Sequence, residues 1–220
     1  MIISDEHKFI FVHNPKCAGT SIRFALKNLD SYNNYFSGAD TFNNITLGKM
    51  HIPLTLLESY FPKEYEKLIQ YFSFVIVRNP FTRFLSAFNR VYDNIFFEYI
   101  ETKDFQTYKE NINMFINNFS THNIDTYNYE FRHFLRQSDF VYLKDQCLID
   151  KICKIETLNH DLIEMEWLMP IVYNRLKSMK PLNVRTSAHQ FYEIMDDSSI
   201  KKIYSIYEKD FEVFDYKSIL

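Results

Sequence analysis

Two short stretches of this chain combine cations, hydroxyls and small residues in patterns that suit phosphate. The first is Asn14-Pro15-Lys16-Cys17-Ala18-Gly19-Thr20-Ser21. It joins an apolar, β-branched run, Lys8–His13, to a segment whose apolar residues Ile22, Phe24, Ala25, Leu26 and Leu29 suit a helix. A loop running from a buried strand into a helix N-terminus offers backbone N–H groups and a favourable dipole to an anion. Lys16 adds a point charge, Ala18 and Gly19 let the backbone approach closely, and Thr20 and Ser21 supply hydroxyls. Pro15 and Cys17 complete the candidate loop, with Cys17 read as a small filler. The lysine precedes the glycine, so this is not the GxxxxGK[ST] phosphate loop. The competing reading is a tight strand-to-helix turn carrying a surface lysine.

The second stretch is Val77-Arg78-Asn79-Pro80-Phe81-Thr82-Arg83-Phe84-Leu85-Ser86-Ala87-Phe88. Arg78 follows the strongest strand signal in the chain, Phe72–Val77. Ligands of open α/β sheets gather at the carboxyl ends of strands. A guanidinium there can grip a phosphate bidentately, and Ser86 can donate its hydroxyl. The competing reading makes Arg78 and Arg83 structural ion-pair partners.

The elements that must hold these groups alternate in type. Pro80 suits the first turn of a helix, with Phe81, Leu85, Phe88, Tyr92 and Ile95 as its apolar stripe and Arg83, Ser86 and Arg90 on another face. Residues 31–49 read as a loop, residues 51–61 as a short helix closed by Pro62, and residues 64–69 as a further helix. Residues 140–143 and 151–155 read as short strands, residues 161–179 as a helix interrupted at Pro170, and residues 199–211 as a final amphipathic helix. Strands alternating with helices imply an α/β domain built on a central, mainly parallel sheet flanked by helices. The 220 residues fit one such domain, 1–220, in which 93–129 forms a helical and loop insertion on the acceptor side.

Composition narrows the function. The net charge is −3, which argues against a nucleic-acid-coating protein. Cys17, Cys147 and Cys153 are odd in number and lack CxxC spacing, so no disulfide framework or zinc site is expected. The N-terminal MIISDEHKFIFVHN has acids where a signal peptide would start basic, and no segment approaches a membrane span. A cytoplasmic location is the expectation.

PKCAGTS after a strand, followed further on by VRNPFTRFLSAF, resembles the paired signature of PAPS-dependent sulfotransferases, nearest to the carbohydrate branch (Golgi-type, family 2) and its bacterial relatives. PAPS is 3′-phosphoadenosine 5′-phosphosulfate, and PAP its desulfated product. CKIETLNHD (153–161), NVRTS (183–187) and YEKDFEVFDY (207–216) extend the likeness over nearly the whole chain. The resemblance implies a P-loop-like sulfotransferase fold. It implies that Lys16, Gly19, Thr20 and Ser21 hold the 5′ end of the donor and that Arg78 and Ser86 hold its 3′-phosphate. It also implies that Arg185, Thr186 and Ser187 belong to a late loop that closes over the nucleotide.

Sulfuryl transfer needs an in-line attack and stabilisation of charge on the leaving phosphate. Lys16 is the natural group for the second task. A hydroxyl acceptor needs a base, for which histidines and carboxylates are candidates. The resemblance singles out His51, and it adds His133 and Gln137, with Arg83, as acceptor-side candidates. The expected acceptor is a hydroxyl of a saccharide or glycoconjugate, and no metal is required. Two other functions stay open: a nucleotide-dependent, kinase-like phosphotransferase on a related fold, and a non-catalytic nucleotide-binding protein.

Overall fold

A computed structural model describes residues 1–42, 44–120, 131–179 and 191–217. In chain order the elements are β1 (Ile2–Ser4), β2 (Phe9–Val12), α1 (Gly19–Leu26), β3 (Ala39–Phe42), β4 (Ile45–Gly48), α2 (Leu54–Tyr60), α3 (Pro62–Gln70) and β5 (Phe72–Val77). They continue with α4 (Pro80–Val91), α5 (Asp93–Thr102), α6 (Phe105–Asn118), β6 (Tyr142–Leu143), β7 (Gln146–Cys147), β8 (Lys151–Lys154), α7 (Leu158–Leu168), α8 (Pro170–Leu176), α9 (Phe191–Ile194) and α10 (Asp197–Val213). Contacts group the described parts of the chain into two compact units, Met1–Arg78 with Leu135–Leu182, and Asn79–Phe134 with Asn183–Leu220.

The first unit is built on a sheet of strand order β1-β2-β5-β8. β2, β5 and β8 are parallel, and β1 runs antiparallel at the edge. This is the α/β, mainly parallel arrangement that the strand–helix alternation implied. The central strands are Phe-, Ile- and Val-rich because both of their faces are buried. Phe9, Phe11, Phe74, Ile76 and Cys153 share one core cluster with Ile22 and Leu26 of α1, Leu162 and Met165 of α7, and Val172 and Leu176 of α8. Each such side chain, fully buried, contributes about 1.5–3 kcal/mol. In the register Val12 faces Val75, and Val77 faces Lys154. The residues that leave β2, β5 and β8 therefore emerge along one carboxyl edge.

Residues 31–49, expected to be a loop, contain a 3₁₀ turn at Tyr35–Ser37 and the hairpin β3–β4. Each strand has only four residues, Ala-Asp-Thr-Phe and Ile-Thr-Leu-Gly, too few for a pattern to stand out in a polar stretch. The expected helix at 51–61 starts only at Leu54, after a 3₁₀ turn at Lys49–His51 and Pro53. Pro62 does not close it but opens α3, where its missing N–H costs nothing. Residues 140–143 split into the end of a 3₁₀ turn, Gln137–Phe140, and the two-residue strand β6. β1 has too few residues for its pattern to stand out.

The second unit is helical. Its core joins Phe81, Phe84, Leu85 and Phe88 of α4 to Ile112 and Ile116 of α6, Phe191 of α9, and Ile203, Ile206 and Phe211 of α10. α4 is not the one-striped helix of the sequence reading: every residue from Pro80 to Asn89 is buried, Arg83 and Ser86 included. α5, α9 and α10 all pack on it, so it has no polar face until Arg90. The stripe also breaks at Tyr92, where α4 ends and α5 begins. Asp196 caps α10 by accepting from Ser199 N at 2.8 Å. Of the segment 93–129, the described part is α5 and α6, and 121–129 lie outside the described residues.

A buried cation ties the hairpin to the turn that carries His51. Lys49 Nζ lies 2.9 Å from Asp40 Oδ1 and 3.2 Å from the centroid of the Tyr35 ring. The Tyr35 hydroxyl donates to Asp40 Oδ2. That bond, then burial, pushes the tyrosine up to about 12. The same bond, with the Lys49 bond, holds the Asp40 carboxyl below its ordinary value. A lowered folded-state value means that Asp40 stabilises the fold fully above its unfolded value of about 3.9, and that this is lost as pH falls through the lower folded value. Asp40→Asn should cost about 1–3 kcal/mol near neutral pH, because it leaves the buried ammonium poorly paired. Urea unfolding should show the gap from wild type narrowing below about pH 4; a gap that stays constant with pH would refute the ion pair as its source.

Candidate functional site

β2 delivers the chain into the loop 13–18, and the loop is strained. Lys16 takes φ 66° and Ala18 φ 56°, both left-handed, while Cys17 and Gly19 do not. Alternating backbone hands of this kind turn successive N–H groups into one concavity, which suits an anion. Left-handed non-glycine residues cost about 1–3 kcal/mol each and persist where the surroundings dictate them. The helix that follows begins without help. Ala18, at its N-cap, has no side-chain cap bond, and the first turn carries no acid. The Ala18 carbonyl accepts from Ser21 N at 3.0 Å and from Ile22 N at 3.2 Å. The positive end of the α1 dipole lies at this turn, which favours an anion there. Lys16 is half-buried, Thr20 is exposed and Ser21 is buried, so the two hydroxyls sit in different surroundings.

Gly19 has an ordinary φ, so its use is not conformational freedom. A Cβ at position 19 would lie 1.7 Å from His13 Nε2 and 2.0 Å from Cδ2. The glycine is there to admit the imidazole of His13 against the loop. His13 in turn meets His51, with ring centroids 4.4 Å apart at 69°. His51 Nδ1 lies 3.0 Å from the His13 carbonyl oxygen. A carbonyl only accepts, so Nδ1 carries the hydrogen and donates, which leaves Nε2 of the neutral ring with its lone pair. Both histidines are buried.

The loop is fastened from below by two side-chain amides. Gln137 Nε2 donates to the Arg78 carbonyl at 2.7 Å, and Gln137 Oε1 accepts from Arg78 N at 2.8 Å. The peptide partners dictate which way this amide points. Its Oε1 also accepts from Asn14 Nδ2 at 3.1 Å, and Asn14 Nδ2 reaches the Ile76 carbonyl at 3.0 Å. Cys17 Sγ lies in the same cluster, 3.4 Å from Gln137 Oε1 and 3.3 Å from Asn14 Nδ2. Lys16, Cys17, Gly19, His51, Gln137 and Arg78 all belong to the first unit.

Residues 1–217 match a family model described as the sulfotransferase family. The chain belongs to that family. No match was found among the curated proteins. None was found among the solved structures. Sulfotransferases move a sulfuryl group onto an acceptor.

The remaining site candidates of this sulfotransferase fall elsewhere. Arg83, Ser86 and His133 belong to the second unit, and all three are buried there. The Arg83 guanidinium lies 5.7 Å from the centroid of the Tyr207 ring, whose hydroxyl donates to the Phe134 carbonyl at 2.7 Å. Arg185, Thr186 and Ser187 lie outside the described residues. Among the described residues, no group of three or more His, Cys, Asp or Glu could hold a metal ion, and no helix is long and apolar enough to cross a membrane.

Sequence reasoning missed two asparagines. Asn14 ties the loop to β5. Asn79 caps α4, its Oδ1 accepting from Phe81 N at 3.0 Å and Thr82 N at 3.4 Å. An Asn directly before Pro at a helix start is a legible cap signal. For Asn14 no local signal exists, since its oxygen partners, on Ile76 and Gln137, are far along the chain.

The contact between Gly19 and His13 generates a double-mutant test. Gly19→Ala should destabilise by about 1–3 kcal/mol, the usual cost of overpacking. In a His13→Ala background the same change should cost much less. Equal costs in both backgrounds, measured by urea unfolding, would show that the imidazole is not what the glycine accommodates.

Proposed function

We propose that this sulfotransferase uses PAPS as donor and a saccharide hydroxyl as acceptor, with His51 as general base. The observation that carries this reading is the pairing, in one unit, of an anion-shaped loop with a buried imidazole whose Nδ1 is held by the His13 carbonyl. Family membership supports sulfuryl transfer, and the nucleotide donor extends the resemblance of the two motifs.

In this reading the N–H groups at the start of α1, with Lys16, Thr20 and Ser21, receive the 5′-phosphosulfate. Arg78, with Ser86, receives the 3′-phosphate. His51 Nε2 takes the proton of the acceptor hydroxyl as its oxygen attacks sulfur. The bond from sulfur to the bridging phosphate oxygen breaks in line. Negative charge moves onto the leaving phosphate, where Lys16 and the helix dipole stabilise it. The protein thus acts by alignment and charge placement. Arg185, Thr186 and Ser187 complete the nucleotide contacts in this scheme, and residues 93–129, with Arg83 and His133, select the acceptor.

The donor is tested by ligand-dependent stability, since a ligand bound only by the native state raises the melting temperature. PAP should raise it well above the shift given by ATP, which lacks a 3′-phosphate. Equal shifts would favour the kinase-like alternative.

The base is tested by transfer from labelled PAPS to saccharide and phenol acceptors. His51→Ala should bind PAP as wild type does but lose about a hundred- to ten-thousandfold in turnover on a saccharide, the usual share of a general base. A phenol, with a pKa of about 10 like that of tyrosine, should lose less. Full turnover of the variant on every acceptor would remove His51 from the mechanism. PAP binding without transfer by wild type would favour the non-catalytic alternative.

A further inference from the structure

Gln137 is fully buried, and Asn14 is 1% exposed. Polar side chains sealed to this degree are retained for what they bond to. Their bonds meet at the places where the two anion-binding stretches leave the sheet. Val77 pairs with Lys154 in the last rung between β5 and β8, so Arg78 stands one residue past the ladder. Gln137 supplies the missing rung. Its amide presents one donor and one acceptor in the same sense as a neighbouring peptide, and it takes both the N–H and the C=O of Arg78. Asn14, two residues past the end of β2, does the matching task for the first stretch. It spans from the loop to the Ile76 carbonyl and to Gln137 Oε1. The result is a continuous path of hydrogen bonds from the anion loop, through two amides, to the backbone of Arg78.

We infer that Asn14 and Gln137 are positioning residues, a buried latch of two amides that sets the spacing between the 5′ anion loop and Arg78. The inference rests on the proposed donor reading, in which those two places hold the two phosphate ends of one nucleotide. A ligand that engages both ends gains from a fixed spacing, because the second contact forms without a further search. A ligand with one phosphate gains nothing from it. The latch therefore acts on affinity for two-ended ligands and only weakly on each end alone. Only a neutral amide fits the position of Gln137, since an ionised carboxylate has no donor for the Arg78 carbonyl. A protonated carboxyl regains one.

The experiment measures binding of PAP, 5′-AMP and 3′-AMP to the full chain by calorimetry, for wild type, Asn14→Ala, Gln137→Ala and Gln137→Glu, with melting curves as a control on folding. PAP should bind the two alanine variants about tenfold or more weakly. The two monophosphates should lose less than about threefold. Gln137→Glu is the isosteric variant for the case in which truncation prevents folding. Its PAP affinity relative to wild type should be poor near neutral pH and should recover as the pH is lowered and the carboxyl takes up a proton. Equal losses for PAP and for both monophosphates would overturn the latch, as would a Gln137→Glu affinity ratio that does not change with pH. Failure of the donor reading shows separately, as wild type that binds PAP no better than 5′-AMP.

Discussion

A parallel sheet leaves the peptides just beyond its last rungs without ladder partners, and in this protein those peptides belong to the residues suited to bind anions. Gln137 takes both polar groups of the Arg78 peptide, and Asn14 bonds to the Ile76 carbonyl while touching Gln137. Burying these backbone groups unpaired would cost about 1–3 kcal/mol each. Satisfying them with amides rather than with water fixes the direction in which the chain departs from the strands. The loop 13–18 and the start of the Arg78 stretch inherit their geometry from that arrangement.

Strain in the loop follows from the same anchoring. Asn14 is fixed at one end and the Ala18 carbonyl closes α1 at the other, so the few residues between must turn sharply. Lys16 and Ala18 absorb the turn in left-handed conformations, although neither is a glycine. Gly19, the first residue of α1, serves a different need: it makes room for His13, which in turn carries the carbonyl that orients His51. The loop, His13 and His51 thus form one packed series.

The second unit solves another problem. Arg83 and Ser86 lie on a helix that is buried along nearly its whole length, so their polar groups must be met inside an aromatic core. Phe-rich packing around α4 holds the helix rigid, and Asn79 with Pro80 gives it a sharply defined start.

Much of this was legible in the linear chain because the signals were local. The run FSFVIV marks β5 to the residue, KFIFVH marks β2, and the two anion-suited stretches follow directly from them. The order of strands and helices was enough for a mainly parallel α/β sheet, since apolar runs and breaking prolines are properties of neighbouring residues. The short hairpin β3–β4, the burial of Arg83 and the all-round packing of α4 were not legible, because each depends on what other segments lay against them. The same holds for the site. Residue type and neighbourhood alone made Lys16, Arg78 and the loop before Gly19 candidates. That Gly19 yields to His13, that His51 donates from Nδ1, and that Gln137 clasps the Arg78 peptide required the fold, because those partners are brought together only when strands distant in sequence pair side by side.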